Sequence, residues 1–229
     1  MKKVSKYIVL VLIFIVIGTS MKVFATEDEF EYREEEGLQR VILIDPGHGG
    51  SDGGATSKNG ILEKDLNLKI ALKLKEELKC KGYEVFLTRE KDEELSKKKR
   101  DDLYLRCKMK KEVKSAVFIS IHQNKFGKTN CKGAQLWHAS NKKSKELANY
   151  VQESIKVNLQ KDNERIPKDA KQSFFILKDG NKEANVILEC GFISNEEDEK
   201  SLSDEVYQNK LTNSIAKGID NYYKNKIKK

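Results

Sequence analysis

The chain has 229 residues, 38% hydrophobic and 35% charged, which suits one globular domain with a sizeable core or at most two small ones. Its formal charge of +8 includes Lys2, Lys3, Lys6 and Lys22 near the start, and the later lysines are interspersed with glutamates. That pattern lacks the basic stripe of a nucleic-acid footprint, and the absence of an internal repeat excludes a solenoid or a repeated wall-binding module.

Three lysines precede an unbroken apolar run from Tyr7 to Ile17, and Val23-Phe24-Ala25 offers small residues at cleavage spacing. This is the order of a secretory signal, and the run is short for a membrane span. Residues 1–25 are therefore expected to be a signal peptide on an exported, extracytoplasmic protein. The alternative is an uncleaved anchor, in which case membrane contact is confined to residues 7–17. Residues 26–39 form an acidic lead-in with no periodic apolar pattern.

The first strand is Val41–Ile44, four aliphatic residues stopped by Asp45-Pro46-Gly47. His48 follows in a loop containing Gly47, Gly49, Gly50, Gly53 and Gly54, just past a strand's carboxyl end, where open α/β sheets bind ligands. A helix is expected over Glu63–Lys79, with Leu66, Ile70, Leu74 and Leu78 on one face. Gly82 ends it, and Tyr83–Thr88 reads as a second strand. After a charged loop at Lys91–Lys99 come a helix over Asp101–Val113 and a third strand, Ala116–Ile121, ending at His122. Ala134–His138 is a fourth strand, Lys142–Leu159 a helix, Phe174–Leu177 a short strand, and Ala184–Leu188 a strand ending at Glu189. Leu202–Tyr223 contains a closing helix with Leu211, Ile215 and Ile219 on one face. Strands alternating with helices give an α/β fold: a single domain over 40–225 with a largely parallel, mixed central sheet and helices on both faces.

Cys80, Cys107, Cys131 and Cys190 contain no C-x-x-C pair, which excludes a zinc ribbon on spacing. Export would permit disulfides, but the four positions form no compact framework, so free, partly buried thiols are expected.

His48, His122 and Glu189 each fall at the carboxyl end of an expected buried strand, and those ends share one edge of a parallel sheet. Glu63 opens the first helix directly after the glycine loop. Two imidazoles and a carboxylate around an open position form a known catalytic zinc arrangement, and a further carboxylate can serve as general base. Glu63 could instead be a first-turn acid favoured by the helix dipole, and Asp65 competes with it as ligand. His122 taken alone could be a strand-end histidine satisfied by backbone. Glu189 is harder to set aside, because an ionised carboxylate at a buried strand end needs a partner or a task. His138, beside Trp137, reads as structural or substrate-facing. Together the residues point to a metal hydrolase.

The segments I-D-P-G-H-G-G (44–50), N-G-I-L-E-K-D-L-N (59–67), L-T-R (87–89), F-I-S-I-H-Q-N (118–124) and E-C-G-F-I-S-N (189–195) occur in one order. In this they resemble the zinc-dependent N-acetylmuramoyl-L-alanine amidases of the Amidase_3 type, over about residues 40–224. The resemblance implies Zn2+ held by His48, Glu63 and His122, which separates Glu63 from Asp65, and Glu189 as catalytic acid/base. Arg89, Arg106 and Asn124 also fall on motif positions. The arginines read as loop-positioning residues, and Asn124 is a candidate for substrate contact. The implied substrate is peptidoglycan, cleaved between N-acetylmuramic acid and L-alanine. The E-C-G-F form and the lack of a wall-binding repeat are most similar to the spore-cortex members, implying a role in germination and a location in the cell wall or spore intermembrane space. An activating protein partner is conceivable, though no segment identifies one. One departure is Lys110-Lys111, where many members carry Ala-Asn; the pair is expected on an exposed helix face. The rival readings are a zinc peptidase cutting within the stem peptide and a non-catalytic wall-binding protein.

Overall fold

The computed structural model describes residues 40–128, 130–178 and 182–227; the expected signal segment and acidic lead-in lie outside the described residues. Within them the elements run β1 (Val41–Pro46), α1 (Glu63–Cys80), β2 (Glu84–Leu87), α2 (Lys99–Glu112), β3 (Val117–Asn124) and β4 (Gln135–His138). They continue as α3 (Lys142–Asn158), β5 (Lys168–Asp169), a 3-10 turn (Phe175–Leu177), β6 (Ala184–Phe192), α4 (Glu196–Ser203) and α5 (Glu205–Ile227). The strands form one sheet in the order β2-β1-β3-β6-β4-β5, parallel at every pairing except the antiparallel β4–β6. The expected mixed, largely parallel α/β architecture is what the chain adopts. No helix among the described residues is long and apolar enough to cross a membrane.

Strand alternation decides what each face of the sheet carries. Ile42, Ile44, Val117, Ile119, Ile121, Val186 and Leu188 point to one side, where α1, α3 and α5 cover them in the main core. Leu43, Phe118 and Ile187 point to the other, against Cys107 of α2 and the buried Ile176 and Leu177. Extending this parity along each strand puts Asp45, Ser120, His122 and Glu189 on the α2 face, where the apolar cover gives way to polar groups. No disulfide joins the four cysteines, of which Cys107 and Cys190 are buried.

Several details differ from the sequence reading. Residues 174–177 do not form a strand. Ile176 and Leu177 are consecutive and both buried, which a strand covered on one side cannot provide, and the segment closes instead as a 3-10 turn with Leu177 N donating to Phe174 O at 3.1 Å. β3 and β6 run past His122 and Glu189, so these two residues sit inside their strands as Cα partners, with a register shift between His122 and Asn124. The helix α4 was not anticipated; Asn195 caps it, its side chain accepting from Asp198 N at 2.9 Å. Lys110 is not on an exposed face. Its residue surface is 1% exposed and its Nζ donates to Ile176 O at 2.6 Å, whereas Lys111 is exposed as expected.

Candidate metal centre

β1 ends buried at Asp45-Pro46, and the chain then turns through the glycine loop with His48 at φ 62°. A left-handed histidine is costly unless its surroundings fix it, and here two buried arginines do so. Arg89 Nε donates to Pro46 O at 3.0 Å, and its Nη2 donates to Gly47 O at 3.1 Å and Lys64 O at 2.9 Å. Arg106 donates through Nη1 to Pro46 O and through Nη2 to His48 O, both at 3.0 Å. Beneath the loop, Asp45 takes hydrogen bonds of 2.6 Å from Arg106 Nη1, Thr88 Oγ1 and Ser120 Oγ. Burial pushes the Asp45 carboxyl up, but the Arg106 charge and the Ser120 and Thr88 hydroxyls outweigh it and leave it at about 2.

Glu63, at the first turn of α1, is buried and held at both oxygens. Oε2 accepts from Ala55 N at 2.8 Å, while Oε1 accepts from Gln123 N at 3.0 Å. The same Oε1 lies 3.3 Å from His48 Nε2 and 3.0 Å from His122 Nδ1, and the two imidazoles meet edge to face. Burial raises the Glu63 carboxyl, but the bonds and charges of His122 and His48 win, so it stays well below the usual carboxylate range. For His48, burial lowers the imidazole while Glu63 and Asp52 raise it, and the net direction is up. Glycine is needed where these side chains crowd the backbone. A Cβ on Gly47 would lie 2.2 Å from the His122 ring, and one on Gly54 would lie 2.7 Å from both Glu63 Oε2 and His48 Cδ2.

One ligand atom from each of His48, Glu63 and His122 falls within 4.8 Å of the others, a spacing at which one metal ion can be shared. The donor chemistry fits: two imidazole nitrogens and one carboxylate oxygen converge, and His48 and Glu63 are each braced from behind. His48 Nδ1 lies 3.0 Å from Asp52 Oδ2, which leaves Nε2 to face Glu63. Buried Asn67 donates through Nδ2 to Gly47 O at 3.1 Å and accepts from Gln123 Nε2 at 3.0 Å. Neither Asp52 nor Asn67 is singled out by the sequence reading. A signal existed for both, since Asp52 stands four residues after His48 and Asn67 four after Glu63 on the same helix. Asp65 is exposed and outside the cluster, and His138 is buried with Nδ1 2.9 Å from Ala139 O.

Glu189 is the Cα partner of His122 in the β3–β6 ladder, so both side chains leave the same face of the sheet. The residue is half-buried, yet its Oε2 is shut off from solvent with no hydrogen-bond partner. Burial pushes the Glu189 carboxyl up to about 7, opposed by His122 and His48 and reinforced by the charge of Glu63. Asn124, also on β3, is half-buried, and its carbonyl accepts from Ile193 N at 2.8 Å. A cleft of about 610 Å³ opens over the cluster. His48, His122, Gly49 and Asp52 line it together with Phe174, Phe175 and Ile176.

Comparison with known proteins agrees with this geometry. The family described as Amidase_3, N-acetylmuramoyl-L-alanine amidase, matches residues 42–221. A germination-specific N-acetylmuramoyl-L-alanine amidase of Bacillus subtilis is 31% identical over 99% of this chain and 98% of its own length. Among solved structures, the CwlD amidase from Clostridioides difficile, in complex with the GerS lipoprotein, is 38% identical with a TM-score of 0.76, covering 81% of this chain and 98% of that one. The catalytic domain of CwlV, an amidase from Bacillus (Paenibacillus) polymyxa var. colistinus, is 31% identical with a TM-score of 0.69, covering 81% and 98%.

Proposed function

We propose that this chain, which belongs to the Amidase_3 family of N-acetylmuramoyl-L-alanine amidases, divides its chemistry between three residues that hold a zinc ion and one carboxylate that moves the proton. The reaction is hydrolysis of the amide joining N-acetylmuramic acid to L-alanine in peptidoglycan. His48, Glu63 and His122 would hold the zinc, whose Lewis acidity polarises the scissile carbonyl and makes water acidic enough to react near neutral pH. Glu189 accepts a proton from the attacking water and delivers it to the alanine nitrogen as the C–N bond breaks. Asn124, near the end of β3, would contact the substrate beside the cluster. The observation that carries this reading is the unpartnered Glu189 oxygen beside His122, because a carboxylate with one oxygen buried and unbonded suits proton transfer better than support.

The domain that does this work spans residues 40–225, preceded by a signal or anchor segment at 1–25 and an acidic lead-in at 26–39. The family's cell-wall chemistry places the enzyme outside the cytoplasm. The germination-specific relative and the likeness to CwlD support the spore cortex as the wall it acts on. The CwlD structure includes the GerS lipoprotein, and an accessory lipoprotein is accordingly part of the reading for this chain.

The test is mass spectrometry of purified peptidoglycan digested by the full chain, with added zinc and with chelator. Zinc-dependent release of stem peptides bearing a free N-terminal alanine is expected. Cuts within the stem peptide, or undiminished release in chelator, would overturn the reading.

A further inference from the structure

We propose that Lys110 is a positioning residue for the amidase reaction: it fixes the Phe174–Ile176 part of the lining of the cleft that also holds His48 and His122, and thereby sets how tightly substrate is captured. A lysine is almost never fully buried unless its head group is paired, and Lys110 is 1% exposed. Its Nζ donates to Ile176 O at 2.6 Å and sits 4.6 Å from the centroid of the Phe118 ring, on the sheet face that α2 covers. The carbonyl it binds belongs to the 3-10 turn whose neighbours Ser173, Phe174 and Phe175 line the cleft.

The position of Lys110 along α2 gives this bond its consequence. Asp102, Arg106 and Lys110 follow at four-residue spacing and share one face of the helix. Arg106, braced by Asp102 at 2.6 Å, grips the carbonyls of Pro46 and His48. One turn further along, Lys110 grips the carbonyl of Ile176. A single helix therefore bonds to two segments of the cleft lining through side chains on adjacent turns. Phe174 is packed against Trp137 at 5.4 Å between ring centroids, so this part of the lining is held from the sheet side as well, but its backbone is pinned by Lys110.

The inference rests on the cleft being the amidase active site, and its test separates the two. Lys110→Ala removes the donor, and Lys110→Arg retains one of similar reach. For zinc-loaded enzyme acting on a soluble muropeptide, Lys110→Ala is expected to raise KM roughly three- to tenfold with kcat within about twofold, and Lys110→Arg to restore most of the loss. Zinc content should equal that of the wild type in both variants. Independently of activity, hydrogen exchange at the Leu177 and Lys178 amides should quicken in Lys110→Ala, with the amides of β1 unchanged. An unchanged KM with unchanged exchange at 177–178 would overturn the proposal, as would a fall in kcat at constant KM. Inactive wild-type enzyme would instead count against the cleft as the active site, while the exchange result would still decide whether Lys110 is the anchor.

Discussion

Around Glu63, at the start of α1, both carboxylate oxygens are bound. Arginines grip the loop carbonyls of Pro46, Gly47 and His48, and the buried acid Asp45 beneath them is held by three hydrogen bonds. Around Glu189, in β6, the ladder to β3 shifts register just beyond the residue, and the carboxylate has a buried oxygen that touches no donor. The two acids both lie beside His122, and their environments push them in opposite directions, Glu63 down and Glu189 up to about 7. Holding a cation calls for an anion fixed in place whose charge is secured by its neighbours. Passing a proton calls for a carboxylate whose two protonation states lie close in free energy near neutral pH. The polar bonding of the site is concentrated where rigidity matters and withheld where the proton has to move.

The largest effect should come from His122→Ala, which removes one of three donors from the braced region. Zinc affinity should drop by more than the roughly 100-fold seen when only an outer supporting residue is lost, and activity should vanish with it. Metal content by mass spectrometry checks this, and full zinc retention would break the assignment of the cluster. Next is Arg106→Ala, which leaves Asp45 buried without its cationic partner and should destabilise the fold by about 3–5 kcal/mol in urea unfolding. An unchanged midpoint would mean that the Glu63 region does not depend on its buried ion pair.

The same pair should govern the acid limb of stability. The Asp45 carboxyl sits at about 2 in the folded chain against 3.8 ordinarily, so its contribution is complete above about pH 4 and is lost as pH falls through 2. That difference amounts to about 2 kcal/mol. Unfolding curves from pH 5 to 2 should flatten in Arg106→Ala relative to wild type, and parallel curves would assign the acid limb to other groups. The smallest effect is expected from Asp52→Asn, which keeps the shape of the residue behind His48 Nδ1 but removes its charge. Zinc affinity measured by chelator competition should weaken about tenfold with the fold intact.

Much of this arrangement is legible in the sequence alone. The aliphatic runs of β1, β3 and β6 stop or turn polar at Asp45, His122 and Glu189, and a parallel sheet aligns such positions by itself. Bonds that cross between elements left no such trace. Nothing in the periodicity of α2 distinguishes buried Lys110 from exposed Lys111, because lysine normally marks a solvated face and the burial goes with partners distant in sequence, the carbonyl of Ile176, 66 residues away, and the Phe118 ring. Phe174–Leu177 reads as a strand because its residues are apolar, but burial of both Ile176 and Leu177 against α2 selects the 3-10 turn. Asp45 and Asp52 stand in plain view in the motif, but their roles depend on partners at Thr88, Arg106, Ser120 and His48 that the fold alone brings near.

The contrast between the two carboxylates is tested most directly by the zinc content and turnover of Glu189→Gln measured on the same preparation. The predicted result is zinc at the wild-type level with turnover of muropeptide reduced on the order of 10²–10⁴-fold, since only the proton-transferring group is gone. Loss of zinc in that variant, or turnover near the wild-type rate, would contradict the division of labour between Glu63 and Glu189.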